Sequence, residues 1–208
     1  PQFGPSSGQM FDVVTGFDTL LPIDPPDMAV LSTGNVDNFE QGSDLDHPPD
    51  GGEGDRATLG FTLSCPAGSS SLRFAFAVIS NDPDVAANPD TFEVFLNSPA
   101  FSGPVLFDDD GGPITPGALP NNAPWPGWPS RTTWWVLSAP VTDGSPVGLL
   151  FTLYDVGSGI GDTFVLLDAL QCSDEDATGL EPWTAPGDDD DSADDDDSGD
   201  DDDSGDDD

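Results

Sequence analysis

Lysine is absent from this sequence, and three arginines stand against 41 acidic residues, which leaves a formal net charge of −38. Nucleic acids and anionic lipid surfaces attract basic proteins, so the charge excludes both as direct partners. No apolar run approaches the ~20 residues that a membrane-spanning helix needs. The sequence therefore predicts a protein that neither binds nucleic acid nor inserts directly into a membrane.

Recognisable catalytic motifs are missing as well. The single histidine, His47, lies in an acidic, proline-containing segment, and the sequence has no Gly-x-Ser-x-Gly motif. Without lysine there is no amine to act as a base or to form a Schiff base. We therefore expect no enzymatic activity. A carboxylate-dependent glycoside hydrolase stays open as an alternative, because acidic residues are abundant and two carboxylates suffice for that chemistry.

Cysteine is scarce, with one residue in an early predicted strand region and one near the end of the last predicted strand. An even number of cysteines at opposite ends of a domain favours a disulfide in an oxidising compartment. Two buried free thiols are the alternative. We expect a Cys65–Cys172 disulfide and an extracellular or cell-surface location.

Helical periodicity is also lacking, whereas short segments with alternating apolar residues are frequent. Leu72, Phe74, Phe76 and Val78 follow the period of two that is typical of a strand with one buried face. The pattern predicts an all-β protein, a β-sandwich of jelly-roll type. The expected strands are 10–14, 28–32, 57–63, 71–79, 91–97, 103–107, 132–137, 147–154 and 163–171.

The chain divides into four parts by composition. Residues 1–26 form an N-terminal extension or first strand, and 27–172 form the sandwich domain. Residues 173–187 lose the alternation and are interpreted as a linker, and 188–208 repeat Asp, Ser and Gly or Ala. Such a repeat cannot bury apolar surface, so a disordered acidic tail is expected. The N-terminal extension could also pair with an exposed sheet edge of a neighbouring molecule.

Several short motifs lie along the body: AVLSTGNV at 29–36, GDRATL at 54–59, the strand 72–80 with DTFEVFLN at 90–97, and DVG to VLLD at 155–168. Together they resemble the choice-of-anchor L family of bacterial surface proteins. Their order and spacing cover roughly residues 15–172. The resemblance implies a secreted β-sandwich that is followed by an anchoring signal.

Two predicted loops carry the residues of a possible calcium site. The first contains Asp82, Asp84 and Asp90, and the second runs from Asp155 to Asp162 through three glycines. Calcium takes six to eight oxygen ligands from carboxylates, carbonyls and water, which such loops can supply. The alternative is that Asp and Gly only form turns. Because the body has so few cations of its own, we expect calcium as the cofactor.

Asp168 is a sixth candidate ligand, since it lies on the same strand face as Phe164 and Leu166. A carboxylate on an apolar face is costly unless it is paired or coordinated. We expect it to meet a metal ion or an arginine, or to lie where that face is wet.

Four of the five tryptophans lie between positions 125 and 135. Trp134 and Trp135 point to opposite faces of a strand, so one can be buried while the other is exposed. Trp125, Trp128 and Trp135 are therefore candidates for a flat platform that binds a glycan or a partner. Core packing is the alternative.

These features together predict a secreted, calcium-binding surface module for adhesion or glycan binding. A structural subunit that self-associates through sheet edges into a fibre or surface layer is the first alternative. The glycoside hydrolase is the second.

Overall fold

The computed structural model of the chain describes residues 11–17, 20–33, 56–80, 90–99, 101–107, 112–119, 123–125, 128–142, 144–156 and 162–184. Within these ranges the chain forms strands and one short 3-10 turn, Pro116–Ala118. The strands are β1 (Phe11–Val14), β2 (Met28–Ser32), β3 (Arg56–Ser64), β4 (Ser71–Ser80), β5 (Thr91–Asn97), β6 (Ser102–Pro104), β7 (Ala123–Trp125), β8 (Trp128–Arg131), β9 (Trp135–Pro140), β10 (Pro146–Tyr154), β11 (Thr163–Ser173) and β12 (Gly179–Pro182). No helix in the described part of the chain is long and apolar enough to cross a membrane.

The strands form two antiparallel sheets. The large sheet has the order β1-β2-β11-β4, and β4 then pairs with both β8 and β9, which in turn pair with β7 and β12. The small sheet has the order β3-β10-β5-β6. Eight strands thus form the two four-stranded halves β2-β11-β4-β9 and β3-β10-β5-β6. This is the connectivity of a jelly roll built from two Greek keys, and it confirms the predicted fold class.

The main core lies between the two sheets. Alternate residues of β4, β5 and β10 point into it, as the period of two predicts. The largest are aromatic, and the ring of Phe151 contacts Phe74 edge-on at 5.0 Å between centroids. Phe92 and Phe76 continue this aromatic cluster. The alternation in the sequence therefore identifies the inner faces of both sheets correctly.

The outer face of the large sheet is also covered, which the alternation alone does not predict. After β1 pairs with β2 at the sheet edge, residues 14–17 and 20–23 pack over this face. Phe17 packs on Phe164 with ring centroids 5.3 Å apart, and Leu20 lies in the same cluster. The large sheet is thus buried on both sides, and a second apolar layer forms outside it.

β1 lies in the sheet of its own chain rather than reaching out of it. Its four residues pair with β2, from Phe11 opposite Leu31 to Val14 opposite Met28. By its sequence, the N-terminal extension could pair with a neighbouring molecule. Residues 11–14 instead pair with β2 of the same chain. Residues 1–10 lie outside the described residues.

The segment expected to be a linker from residue 173 belongs to the sandwich up to Trp183. β12 pairs with β9 along four residues, and the main-chain nitrogen of Trp183 donates a hydrogen bond to Trp134 O at 3.1 Å. Leu180 packs against the main core. The domain boundary at 172 is corrected accordingly, because this short strand lacks the length that makes alternation visible. Residues 185–208, with the acidic tail, lie outside the described part.

The predicted disulfide is present. Cys65 follows β3 of the small sheet and Cys172 lies in β11 of the large sheet, at a sequence separation of 107. The bond therefore links the two sheets covalently at one end of the sandwich.

Candidate functional site

Three of the predicted calcium ligands, Asp90, Asp155 and Asp162, lie at the end of the sandwich opposite the disulfide. β4 ends there at Ser80 and β5 begins after Asp90, while β10 ends before Asp155 and β11 begins after Asp162. We call this the carboxylate end. The β4–β5 and β10–β11 connections, which are two separate loops in the sequence, therefore start and end at the same end of the sandwich.

A direct contact joins these two loops. The Oδ1 atom of Asp90 accepts a hydrogen bond from the main-chain nitrogen of Val156 at 2.9 Å. The pairing of Thr91 with Tyr154 brings Asp90 and Asp155 to adjacent strand ends. Asp90 is only 2% exposed and Asp162 only 4% exposed. Two aspartates therefore lie in the interior of the carboxylate end.

The base of this end is a layer of buried polar side chains. Thr33 Oγ1 accepts a hydrogen bond from the nitrogen of Thr163 at 2.9 Å, and Thr163 Oγ1 donates to Ser80 Oγ at 2.9 Å. Such buried bonds fix side-chain positions firmly, because a broken one leaves a polar group without water. The buried polar members are Ser32, Thr33, Ser80, Asp90, Ser130, Arg131, Thr132, Asp162 and Thr163.

Two arginines lie at the carboxylate end together with these aspartates. The buried Arg131 pairs with Ile79 near the end of β4, and the exposed Arg56 pairs with Tyr154 at the start of β3. Within the described ranges no three His, Cys, Asp or Glu side chains gather closely enough to hold a metal ion. A calcium ion here would need main-chain carbonyls or water besides these carboxylates. Asp82 and Asp84 lie outside the described residues.

Asp168 does not join this group. It lies in the middle of β11, roughly 20 Å along the strand from Asp162 at ~3.3 Å per residue. Its carboxylate accepts hydrogen bonds from the main-chain nitrogens of Ile23, Asp24 and Ala169, the last two at 3.0 and 2.7 Å. Three backbone donors thus hold the Asp168 carboxylate, and Asp168 anchors the N-terminal segment to the large sheet.

Replacing Asp168 by Asn tests this anchor. Asn has one acceptor oxygen and no charge, so we expect the free energy of unfolding to fall by about 1 to 3 kcal/mol. Urea unfolding followed by tryptophan fluorescence measures the change. Asp24→Asn removes a charge from an exposed side chain in the same contact region and should have little effect. Equal midpoints for the two variants would contradict the anchoring role.

The expected tryptophan platform is not formed by Trp135. Trp134 and Trp135 do point to opposite faces, but both are buried, each 5% exposed. Trp135 belongs to the main core, and Trp134 lies under the N-terminal segment, where its Nε1 donates to Leu21 O at 3.2 Å. The prediction that one of these two tryptophans is exposed was wrong, because the N-terminal segment covers the outer face of the large sheet. Trp125 and Trp128 pair in β7 and β8, and their side chains lie outside the described part.

A groove on the outer face of the large sheet is a second candidate site, and the sequence did not indicate it. Its cavity volume is about 720 Å³, and Ile23, Arg73 and Trp183 are among its lining residues. Trp183 escaped notice because it lies in the presumed linker. Arg73 has no local sequence signal, since its ion pairs connect positions more than 100 residues apart.

Comparisons with known proteins give limited likenesses. No protein-family model and no curated protein matches the chain. Among solved structures, the carbohydrate-binding module TmCBM61 in complex with β-1,4-galactotriose is similar over 84% of this chain and 83% of that chain, with 8% identity and a TM-score of 0.35. A non-crystalline-cellulose-specific module, CBM28, is similar over 79% and 88%, with 10% identity and a TM-score of 0.39.

A third similar structure is the K3 cleaved adhesin domain of Lys-gingipain from Porphyromonas gingivalis W83. The likeness covers 79% of this chain and 91% of that chain, with 13% identity and a TM-score of 0.39. Likenesses at this level of identity and TM-score do not assign a function to this protein.

Proposed function

We propose that this chain is an extracellular, non-enzymatic module for adhesion or glycan binding, and that calcium at the carboxylate end stabilises its jelly roll. The observation that carries the calcium part is the burial of Asp90 and Asp162 at one end of the sandwich, where Asp90 and Asp155 lie at adjacent strand ends. Calcium can take such carboxylates as ligands beside the hydrogen bonds that they already make.

The chemistry of the donors fits calcium. Carboxylate oxygens are hard ligands, and calcium accepts irregular shells of six to eight oxygens at about 2.3 to 2.6 Å. The hydrogen bond from Val156 to Asp90 already ties together the two loops that would share the ion. Calcium bound there would reduce the repulsion between the loops.

The disulfide and the charge both support an extracellular setting. Disulfides persist in oxidising compartments, and this one joins the two sheets. A chain with a net charge of −38 also repels itself where divalent cations are scarce. The resemblance to choice-of-anchor L surface proteins, carried by the motifs between residues 29 and 168, points in the same direction.

The other functions have less support. The structural-subunit alternative depends on a free N-terminal strand, whereas β1 pairs within its own sheet. The glycoside hydrolase alternative has no observation in its favour among the described residues.

Calcium is expected to raise the thermal midpoint of the protein. A ligand that binds only the folded state adds RT ln(1 + [L]/Kd), about 2.7 kcal/mol at a hundredfold excess over Kd. Extracellular modules have Kd values of about 0.1 to 1 mM, so about 10 mM calcium is a suitable concentration. Calorimetric melts in calcium and in chelator measure the shift.

The matched variants are Asp162→Asn and Asp176→Asn, which remove the same charge at opposite ends of the sandwich. Asp176 is exposed and lies beyond the start of β4, whose ten residues span roughly 30 Å. Asp162→Asn should lose most of the calcium-dependent shift, and Asp176→Asn should keep it. An identical midpoint of the wild-type protein in calcium and in chelator would remove the calcium proposal.

A further inference from the structure

We infer that the groove beside Trp183 is a binding site for a linear, neutral oligosaccharide. This inference rests on the proposed glycan-binding function and gives it a place and a ligand class. The groove lies on the outer face of the large sheet, away from the carboxylate end, and its residues are independent of any calcium ion.

The groove exists because small side chains form its floor. On the outer face of β4, Ala75 presents only a methyl group, and Ala169 does the same at the β-bulge of β11. Larger residues stand on both sides. Ile23 and Trp183 each pack against the outer apolar layer, so they form two walls around a floor of methyl groups.

Both walls are fixed by hydrogen bonds. The Ile23 side is held by the Asp168 carboxylate, which accepts from the main-chain nitrogens of Ile23 and Asp24. The Trp183 side is held by the bond from its nitrogen to Trp134 O and by the β9–β12 pairing. A groove with fixed walls requires little reorganisation on binding, which favours affinity.

The rim carries polar groups in a defined arrangement. Arg73 Nη1 lies 2.9 Å from Glu175 Oε2, and Nη2 lies 3.5 Å from Glu181 Oε1. Glu181 also accepts a hydrogen bond from Thr178 at 3.2 Å. Gln171 is exposed beside them. The side chains of Arg73, Glu175 and Glu181 remain 28%, 70% and 42% exposed. These three residues and Gln171 can therefore exchange hydrogen bonds with a ligand.

This combination of groups matches a sugar. A pyranose has an apolar face of C–H groups that packs on an indole, and hydroxyl groups at its edge that both donate and accept. The groove offers Trp183 for the first and an amide, a guanidinium and carboxylates for the second. Its volume of about 720 Å³ lies within the ~300–1,000 Å³ of typical ligand sites.

A second depression makes the site long rather than compact. It has a volume of about 560 Å³ and shares Arg73 and Gln171 with the first. Its other lining residues include Ser69, Ser173 and Asp174. A chain of several sugars could therefore lie over the ridge that Arg73 and Gln171 form between the two depressions.

The charge of the rim selects the ligand. The guanidinium of Arg73 already contacts two carboxylates, and Asp174 adds a further negative charge nearby. A carboxylated or sulfated oligosaccharide would be repelled here, and more so by the net charge of −38. A neutral oligosaccharide has no such penalty.

Isothermal titration of the full chain with cellohexaose, xylohexaose, mannohexaose and hexagalacturonate tests the inference. At least one neutral probe should bind and the acidic probe should not. Trp183→Ala should weaken binding about tenfold, the loss expected when an aromatic contact is removed. Because Trp183→Ala could loosen β12, Gln171→Ala serves as a second variant at an exposed position, with a loss of several-fold.

The control is Phe95→Ala, which removes a 39% exposed aromatic side chain from the small sheet and should leave binding unchanged. Binding of a neutral probe that survives both groove variants would overturn this site while the glycan-binding function stands. Binding of no probe, or of hexagalacturonate alone, would overturn the site and the glycan part of the proposed function together. The calcium-dependent melting shift tests the other part of that function in either case.

Discussion

Deleting residues 1–26 is expected to lower the free energy of unfolding by about 5 kcal/mol or more, because the deletion uncovers the outer face of the large sheet. Phe17 and Leu20 would be lost, and Phe164 and Met28, each at most 2% exposed, would meet water. Each large apolar side chain contributes about 1.5 to 3 kcal/mol when buried. Since domains are stable by only about 5 to 15 kcal/mol in total, the truncated chain should be largely unfolded at 37 °C.

A point variant tests the same layer in a chain that still folds. Phe17→Ala should cost about 3 to 5 kcal/mol, as other large-to-small changes in cores do. Leu21→Ala is the matched control, because Leu21 belongs to the same segment but is 69% exposed. Urea unfolding gives both values. A truncated protein that melts with the full-length chain would show that the outer layer adds nothing to stability.

Removing the disulfide should have the second large effect. A double Cys65→Ala, Cys172→Ala variant loses a cross-link that closes a loop of 107 positions. The chain-entropy model assigns about 4.7 kcal/mol to a loop of about this length. The bond also joins strands of different sheets, so its loss should allow the two sheets to separate more readily. Chemical unfolding of the oxidised wild-type protein and of the double variant measures the difference.

Reductant provides the control for this prediction. The chain has two cysteines and both are in the bond, so reductant should destabilise the wild-type protein and leave the double variant unchanged. A double variant as stable as the oxidised wild-type protein would contradict the stabilising role of the bond.

The strands of the inner core could be predicted from the sequence because their signal is local. β2 and β5 agree with the predicted ranges to the residue, and β4 differs by one residue at its end. Each has one face toward the main core, so apolar residues recur with the period of the strand. The jelly-roll class follows from the number and spacing of such strands.

The outer layer could not be predicted in this way because its signal is not local. In β11 both faces are apolar, and the sequence does not tell which segment covers the second face. The contact of Phe17 with Phe164 and the anchoring of Ile23 by Asp168 join positions about 145 residues apart. Trp134 is buried by the same N-terminal segment, which is distant in the sequence. β12 was not predicted because its four residues are too few to show alternation.

For the candidate sites, the sequence identifies unusual residues more reliably than it predicts what those residues contact. Asp90, Asp155 and Asp162 are identified from loop composition, and the structure places them at one end of the sandwich. Asp168 was singled out correctly as an unusual residue, but its role is to hold main chain. The groove beside Trp183 was missed, since its floor consists of alanines that no motif distinguishes.

The position of β11 between β2 and β4 also governs when the protein can fold. Thr33 bonds to Thr163, 130 positions later, so the large sheet cannot close until nearly the whole domain has been synthesised. Topologies with such distant pairings fold in about milliseconds to seconds. The early strand β2 therefore has to wait for β11, the partner that pairs with it inside the sheet, until the chain is almost complete.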